Sequence, residues 1–189
     1  MTIFLILAPF GAFGLLLLVT SAAISLFATA AICLAIVGYD VFRGGSVKLF
    51  MTGAVVVFGA LGCYVALVDG NWSSVAIRLA VDCGFLAIAL LSMAIRLPFT
   101  LQYAREKVDA ATAALPGFMR ANYIITWAWT AALVLMLVAD ILMIYLPNLP
   151  LWIGLGIAFA ARNSAVYFTK WYPRYRSAKY GAPAAATKS

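Results

Sequence analysis

IFLILAPFGAFGLLLLVTSAAISLFATAAICLAIVG, residues 3–38, carries no charged side chain. As one straight helix rising about 1.5 Å per residue, it would reach about 54 Å. A bilayer's hydrocarbon core is only about 30 Å thick, so the run must break. Thr20-Ser21 is the expected turn, and Pro9, Gly11 and Gly14 weaken the first half. The reading is a short span, re-entrant segment or interfacial helix over 3–19, then a firmer span over 22–41.

The rest of the 189-residue chain fits the same solvent. It is 66% hydrophobic and 10% charged, with a mean hydropathy of +1.05. Soluble domains are about half apolar and about a quarter charged. A domain this small still exposes much of its surface, so the apolar excess needs lipid around it. Further spans are expected over 49–68, 75–97, 121–146 and 151–170. They are separated by the basic turn Arg43 to Lys48, the turn Asp69 to Ser74 with Trp72, and Pro147-Asn148-Leu149-Pro150. The fold expected is an all-α polytopic transmembrane helix bundle, with five firm spans plus the N-terminal segment. It forms one domain over 1–180, and an Ala/Pro/Ser-rich tail over 181–189 is expected to be mobile.

Residues 98–120 differ in kind. Leu101, Ala104, Val108, Ala111 and Leu115 recur at three and four, with Gln102, Arg105, Glu106, Asp109 and Thr112 on the other face. That spacing predicts an amphipathic interfacial helix over 99–115. Its thin, alanine-rich apolar face suits packing on the protein's own helices as well as lipid. Arg105 and Asp109 stand at i,i+4, as a surface pair does.

The net charge is +7 and the isoelectric point is near 9.5. The cations fall between and after the apolar runs, which suits a membrane protein with basic cytoplasmic faces rather than nucleic-acid binding. Arg43 and Lys48 mark one such face. Arg96, Arg105, Lys107 and Arg120 mark a second; Lys170, Arg174, Arg176, Lys179 and Lys188 mark the tail. The turns at 69–74 and 147–150 hold no lysine or arginine. The C-terminus is therefore expected in the cytoplasm. Met1 to Leu7 lacks the basic residues of a signal peptide, so the first segment is read as retained.

Chemistry is scarce. There is no histidine, which removes His-ligated haem, the common zinc sites and a histidine base. Cys33, Cys63 and Cys83 lie inside apolar runs with no CxxC spacing, and read as buried thiols at helix contacts. A retinal pigment would need a mid-membrane lysine, and Lys170 lies at a span's edge. No phosphate loop, nucleophile–base arrangement or loop carboxylate pair occurs, so neither catalysis nor a cofactor or metal is expected. Gly59 and Cys63 form a small-xxx-small pair suited to close helix packing.

Charge within hydrocarbon costs about 2.5–3.5 kcal/mol per residue on insertion scales. Arg78, Asp82, Asp140 and Arg162, with Asn163 beside the last, are therefore the candidate site. One reading is an ion-pair network that fixes helix register, with Arg78 on Asp82 and Arg162 on Asp140. The other is an outward-opening polar pocket that binds a substrate headgroup or relays a proton. Arg105, Lys107, Arg120, Arg174 and Arg176 form a candidate cytoplasmic interaction surface.

The order of several pieces carries a resemblance. They are VFRGGSVKLF at 41–50, VVVFGALGCYVAL at 55–67, Trp72, MAIRLPFTLQYAREKV at 93–108, LP at 115–116, Trp127, and YLPN at 145–148. Together they cover most of the chain. It resembles the intracellular septation protein A family of bacterial inner-membrane proteins. Asn122 sits earlier than that pattern has it, and Asp140 and Arg162 depart from it. The resemblance implies a non-enzymatic role in envelope maintenance or septation through other integral membrane proteins, and it transfers no binding residues. A small transporter, channel or lipid-binding protein built on the intramembrane charges is the alternative. An accessory subunit of a larger membrane complex is another. Membrane lipids and other integral membrane proteins are the partners expected, and association between copies of the chain stays open.

Overall fold

The turn expected at Thr20-Ser21 is where the first two helices part. The computed structural model describes residues 3–146 and 148–180, and the described residues are helical with short connections. Helix α1 is Ile3–Val19, α2 Ala22–Phe42, α3 Leu49–Leu67, α4 Ser74–Ala94, α5 Phe99–Arg105, α6 Ala110–Ala113, α7 Pro116–Tyr145 and α8 Leu151–Tyr180. Ser21 is the N-cap of α2. Its backbone is extended and its hydroxyl accepts from Ile24 N at 3.4 Å, which meets one of the amide donors a helix start leaves open. Four helices, α2, α3, α4 and α7, are long and apolar enough to cross a membrane.

Two of these helices end in the same hydrogen-bonded motif. At the end of α2, Gly45 N donates to Asp40 O at 2.8 Å and Gly44 N to Val41 O at 2.9 Å, with Gly44 at φ +73°. At the end of α4, Leu97 N donates to Ser92 O and Arg96 N to Met93 O. There Arg96 holds φ 59°. Both are Schellman ends, whose pivot residue is left-handed and usually glycine. Arg96 therefore bears a Cβ strain that Gly44 avoids.

The chain divides into two compact units, one of 1–88 with 140–149 and one of 89–139 with 150–189. In the first unit the centre is aromatic. Phe58 and Phe85 are fully buried. Phe85 lies 4.4 Å from Phe10, 5.3 Å from Phe50 and 5.6 Å from Phe58 by ring centroids. Phe13 joins through Phe58 at 5.2 Å. Pairs at such separations add about 0.5–1.5 kcal/mol each beyond burial. Helices α3 and α4 meet where glycine faces a branched side chain. A Cβ on Gly53 would stand 2.6 Å from Ile88, and one on Gly84 would stand 2.7 Å from Val57. Gly59 faces open space, and Cys63 and Cys83 are exposed, with only Cys33 buried. The close approach of α3 thus uses Gly53 rather than the Gly59–Cys63 pair.

In the second unit, the single helix expected over 99–115 is interrupted. α5 ends at Arg105 and α6 begins at Ala110. Asp109 is the reason: its backbone is extended and its carboxylate accepts from Thr112 N at 2.6 Å, which starts a new helix instead of continuing the old one. Arg105 and Asp109 consequently do not share a helix. α5 turns Phe99, Thr100, Leu101 and Tyr103 inward. Pro116, which reads as part of a stop, opens α7 instead. The first helical position needs no amide donor, so proline fits there. α8 runs on past 170 through Pro173 to Tyr180. The tail expected over 181–189 lies outside the described residues, as does Pro147 of the expected turn.

Candidate functional site

The charges singled out within the apolar runs sit on α4, α7 and α8. Asp82 and Asp140 are buried, Asp140 completely. Arg78 Nη2 lies 2.7 Å from Asp140 Oδ1, with the arginine side chain 16% exposed and the carboxylate 1%. Arg78 thus pairs with Asp140 on α7, where the sequence spacing pointed to Asp82 on its own helix. The partner expected for Arg162 is correspondingly engaged by Arg78. Neither Asp140 oxygen receives an aligned hydrogen bond from the protein, so the contact is Coulombic. Asp82 and Arg162 each have an interaction partner as well.

This pair joins α4 to the last turns of α7, within the first unit. Arg78 is four residues into α4, and Asp140 five residues from the end of α7. Both therefore lie within about 6–8 Å of the helix ends they share. Two opposite charges taken from water together form a neutral set, and removing either strands the other.

A second buried pair closes the turn between α2 and α3. Lys48 Nζ donates to Asp40 Oδ2 at 2.9 Å, with side-chain exposures of 2% and 16%. Arg43, beside it, donates to Tyr39 Oη at 2.9 Å and lies over the Tyr39 ring at 5.6 Å. Sequence reasoning read Lys48 only as one of the cations marking a basic face. The eight-residue spacing across a glycine turn was the available signal.

In the second unit, a hydroxyl ladder satisfies buried polar groups. Thr100 Oγ1 donates to Asn122 O at 3.0 Å and accepts from Thr126 Oγ1 at 2.8 Å. Thr130 Oγ1 donates to Thr126 O at 2.9 Å. Ser92 Oγ accepts from Phe99 N at 3.2 Å. Asn122, Thr126 and Thr130 recur at every fourth position of α7, a periodicity that could have revealed the ladder.

Asn163 stands on the outer face of α8. It is exposed, and its amide donates back to Phe159 O at 2.7 Å. Elsewhere on α8, that helix and α7 form an open groove of about 490 Å³ lined by Ala128, Ala131, Leu135, Ile157, Ala160 and Ser164 among others. Ala132, Met136, Ala161 and Ala165 pack beneath, and Trp129 Nε1 donates to Thr169 Oγ1 at 2.9 Å. Of the candidate cytoplasmic surface, Arg105, Lys107, Arg120 and Arg174 are exposed. Arg176 instead turns inward and donates to Gly117 O at 2.6 Å. Among the described residues, no group of three or more His, Cys, Asp or Glu side chains could hold a metal ion. Compared with known proteins, the chain matches no family model, no curated protein and no solved structure.

Proposed function

We propose that the chain is a non-enzymatic protein of the bacterial inner membrane, acting in envelope maintenance or septation through contacts with other integral membrane proteins. In this reading α8 crosses the bilayer as the four apolar helices do, α1 enters it as a further segment, and the basic loops and the C-terminus face the cytoplasm. The alternation of basic turns with turns that hold no lysine or arginine supports that orientation.

The observation that carries the reading is Asn163. Twelve residues into α8, it stands about 18 Å from the start of the helix, deep in an apolar layer, with its side chain facing outward. One amide hydrogen is satisfied by Phe159 O. The rest of the amide would face hydrocarbon, which offers it nothing. A neighbouring helix would supply a partner, at about 0.6–2 kcal/mol per interhelical hydrogen bond.

A photo-crosslinking benzoylphenylalanine in place of Phe159, exposed on the same face, tests this in native membranes. The expected result is a protein adduct, to another membrane protein or a second copy, whose yield falls at least about fivefold with Asn163→Leu. Adducts to lipid alone, or a yield that ignores the substitution, would overturn it.

A transporter, channel or lipid-binding protein is the second reading, favoured by the burial of Asp82 and Asp140 within apolar helices. The close Arg78–Asp140 contact argues for the structural role instead, because a paired carboxylate is already neutralised. An accessory subunit of a larger complex is a form of the first reading.

A further inference from the structure

Helix α8 contains no acidic residue, yet its last eleven positions hold Lys170, Arg174, Arg176 and Lys179. Arg176 is committed to Gly117 O, and this contact fixes which way that end of the helix faces. Lys170, Arg174 and Lys179 all lie on exposed positions. Between them runs an exposed aromatic row, Tyr167, Trp171 and Tyr175. Trp171 and Tyr175 stack at 5.0 Å with their planes 18° apart. Lys179 Nζ lies over the Tyr175 ring at 5.6 Å and donates to its hydroxyl at 3.2 Å. The cations and rings are thus held in two adjacent rows on one face.

We propose that this face of α8, from Tyr167 to Lys179, binds an anionic phospholipid, with Lys170 and Arg174 taking the phosphate and Trp171 and Tyr175 flanking it within the headgroup layer. The proposal rests on the reading that α8 crosses the bilayer with its C-terminal end at the cytoplasmic surface. Three observations select a lipid. Lys170 to Lys179 covers about 13.5 Å of helix, enough to pass through a headgroup layer of about 5–7 Å. Indole and phenol rings prefer that layer, having an apolar body and a polar edge. The charge of the face is uniformly positive, complementary to a phosphodiester, and arginine reads phosphate through a fixed fork of donors.

Native mass spectrometry of the purified full-length protein, titrated with phosphatidylglycerol and separately with phosphatidylcholine, tests the site. Each cation near a charged lipid surface contributes enough for roughly a fivefold effect. The double variant Lys170→Gln/Arg174→Gln should therefore weaken the tightest phosphatidylglycerol binding roughly 25-fold, with phosphatidylcholine binding unchanged. The charge-preserving Lys170→Arg/Arg174→Lys variant should retain most of it. Arg105→Gln/Lys107→Gln, which removes as much charge elsewhere, should leave it intact. Unchanged binding in the first variant, or an equal loss in the last, would overturn the proposal. A reporter fused after the C-terminus separates the two readings. A cytoplasmic reporter with unchanged lipid binding removes the lipid site alone; a reporter on the far side removes the topology beneath it.

Discussion

The two buried ion pairs of the first unit differ in how their partners meet. Asp40 and Lys48 are eight residues apart, and a turn pivoting on Gly44 folds one back to the other. Arg78 and Asp140 are brought together only by the packing of α4 against the end of α7. The local pair has an aligned hydrogen bond and stands at a helix boundary, where a long lysine stem can reach water if its partner is lost. The distant pair is set within apolar helices, and Asp140 has no such exit. A charge is therefore most consequential where the fold alone supplies its partner.

The largest effect should follow Arg78→Ala, which leaves the Asp140 carboxylate, only 1% exposed, without its counter-charge. The expected loss is about 3–5 kcal/mol, measured by unfolding in mixed micelles, with much of the chain failing to accumulate. Asp40→Ala strands Lys48, but at the boundary. A smaller loss of about 1–3 kcal/mol is expected, and equal losses at the two sites would break the distinction drawn between them. Gly44→Ala, which strains the left-handed pivot of the local pair's turn, should cost about 1–2 kcal/mol by the same measurement. The smallest effect belongs to the matching turn of α4. There Arg96→Gly relieves a Cβ strain while freeing the unfolded chain, so a change within about 1 kcal/mol is expected.

The same contrast shows what could be read from residues alone. Uncharged runs and the turn at Thr20-Ser21 locate the helices because hydrophobic burial and chain length act locally. The spacing of Leu101, Ala104, Val108 and Ala111 continues through a break that Asp109 imposes. Periodicity records which face is apolar, while a cap decides where the backbone restarts. Pro116 reads as a stop because proline ends helices, yet it also begins them. Arg78 and Asp140 are conspicuous as charges in apolar runs, but their pairing depends on which helices touch, and i,i+4 spacing to Asp82 points elsewhere. The Asp40–Lys48 pair is inconspicuous for the opposite reason. Cations beside a membrane span are ordinary, and the eight-residue spacing to Asp40 across the glycine turn is the one hint that the Lys48 ammonium is covered. Exposure of Cys63 and Cys83, and of Asn163, likewise depends on helix rotation, which the alanine-rich faces specify weakly.

The most direct measurement replaces both members of the distant pair with apolar residues, as Arg78→Leu/Asp140→Leu. If the charges hold helices together and contacts carry the function, the double variant should unfold within about 1 kcal/mol of the native protein. It should also form the same adducts through position 159. A variant equally stable but without those adducts would contradict the account, because the charges would then serve function directly.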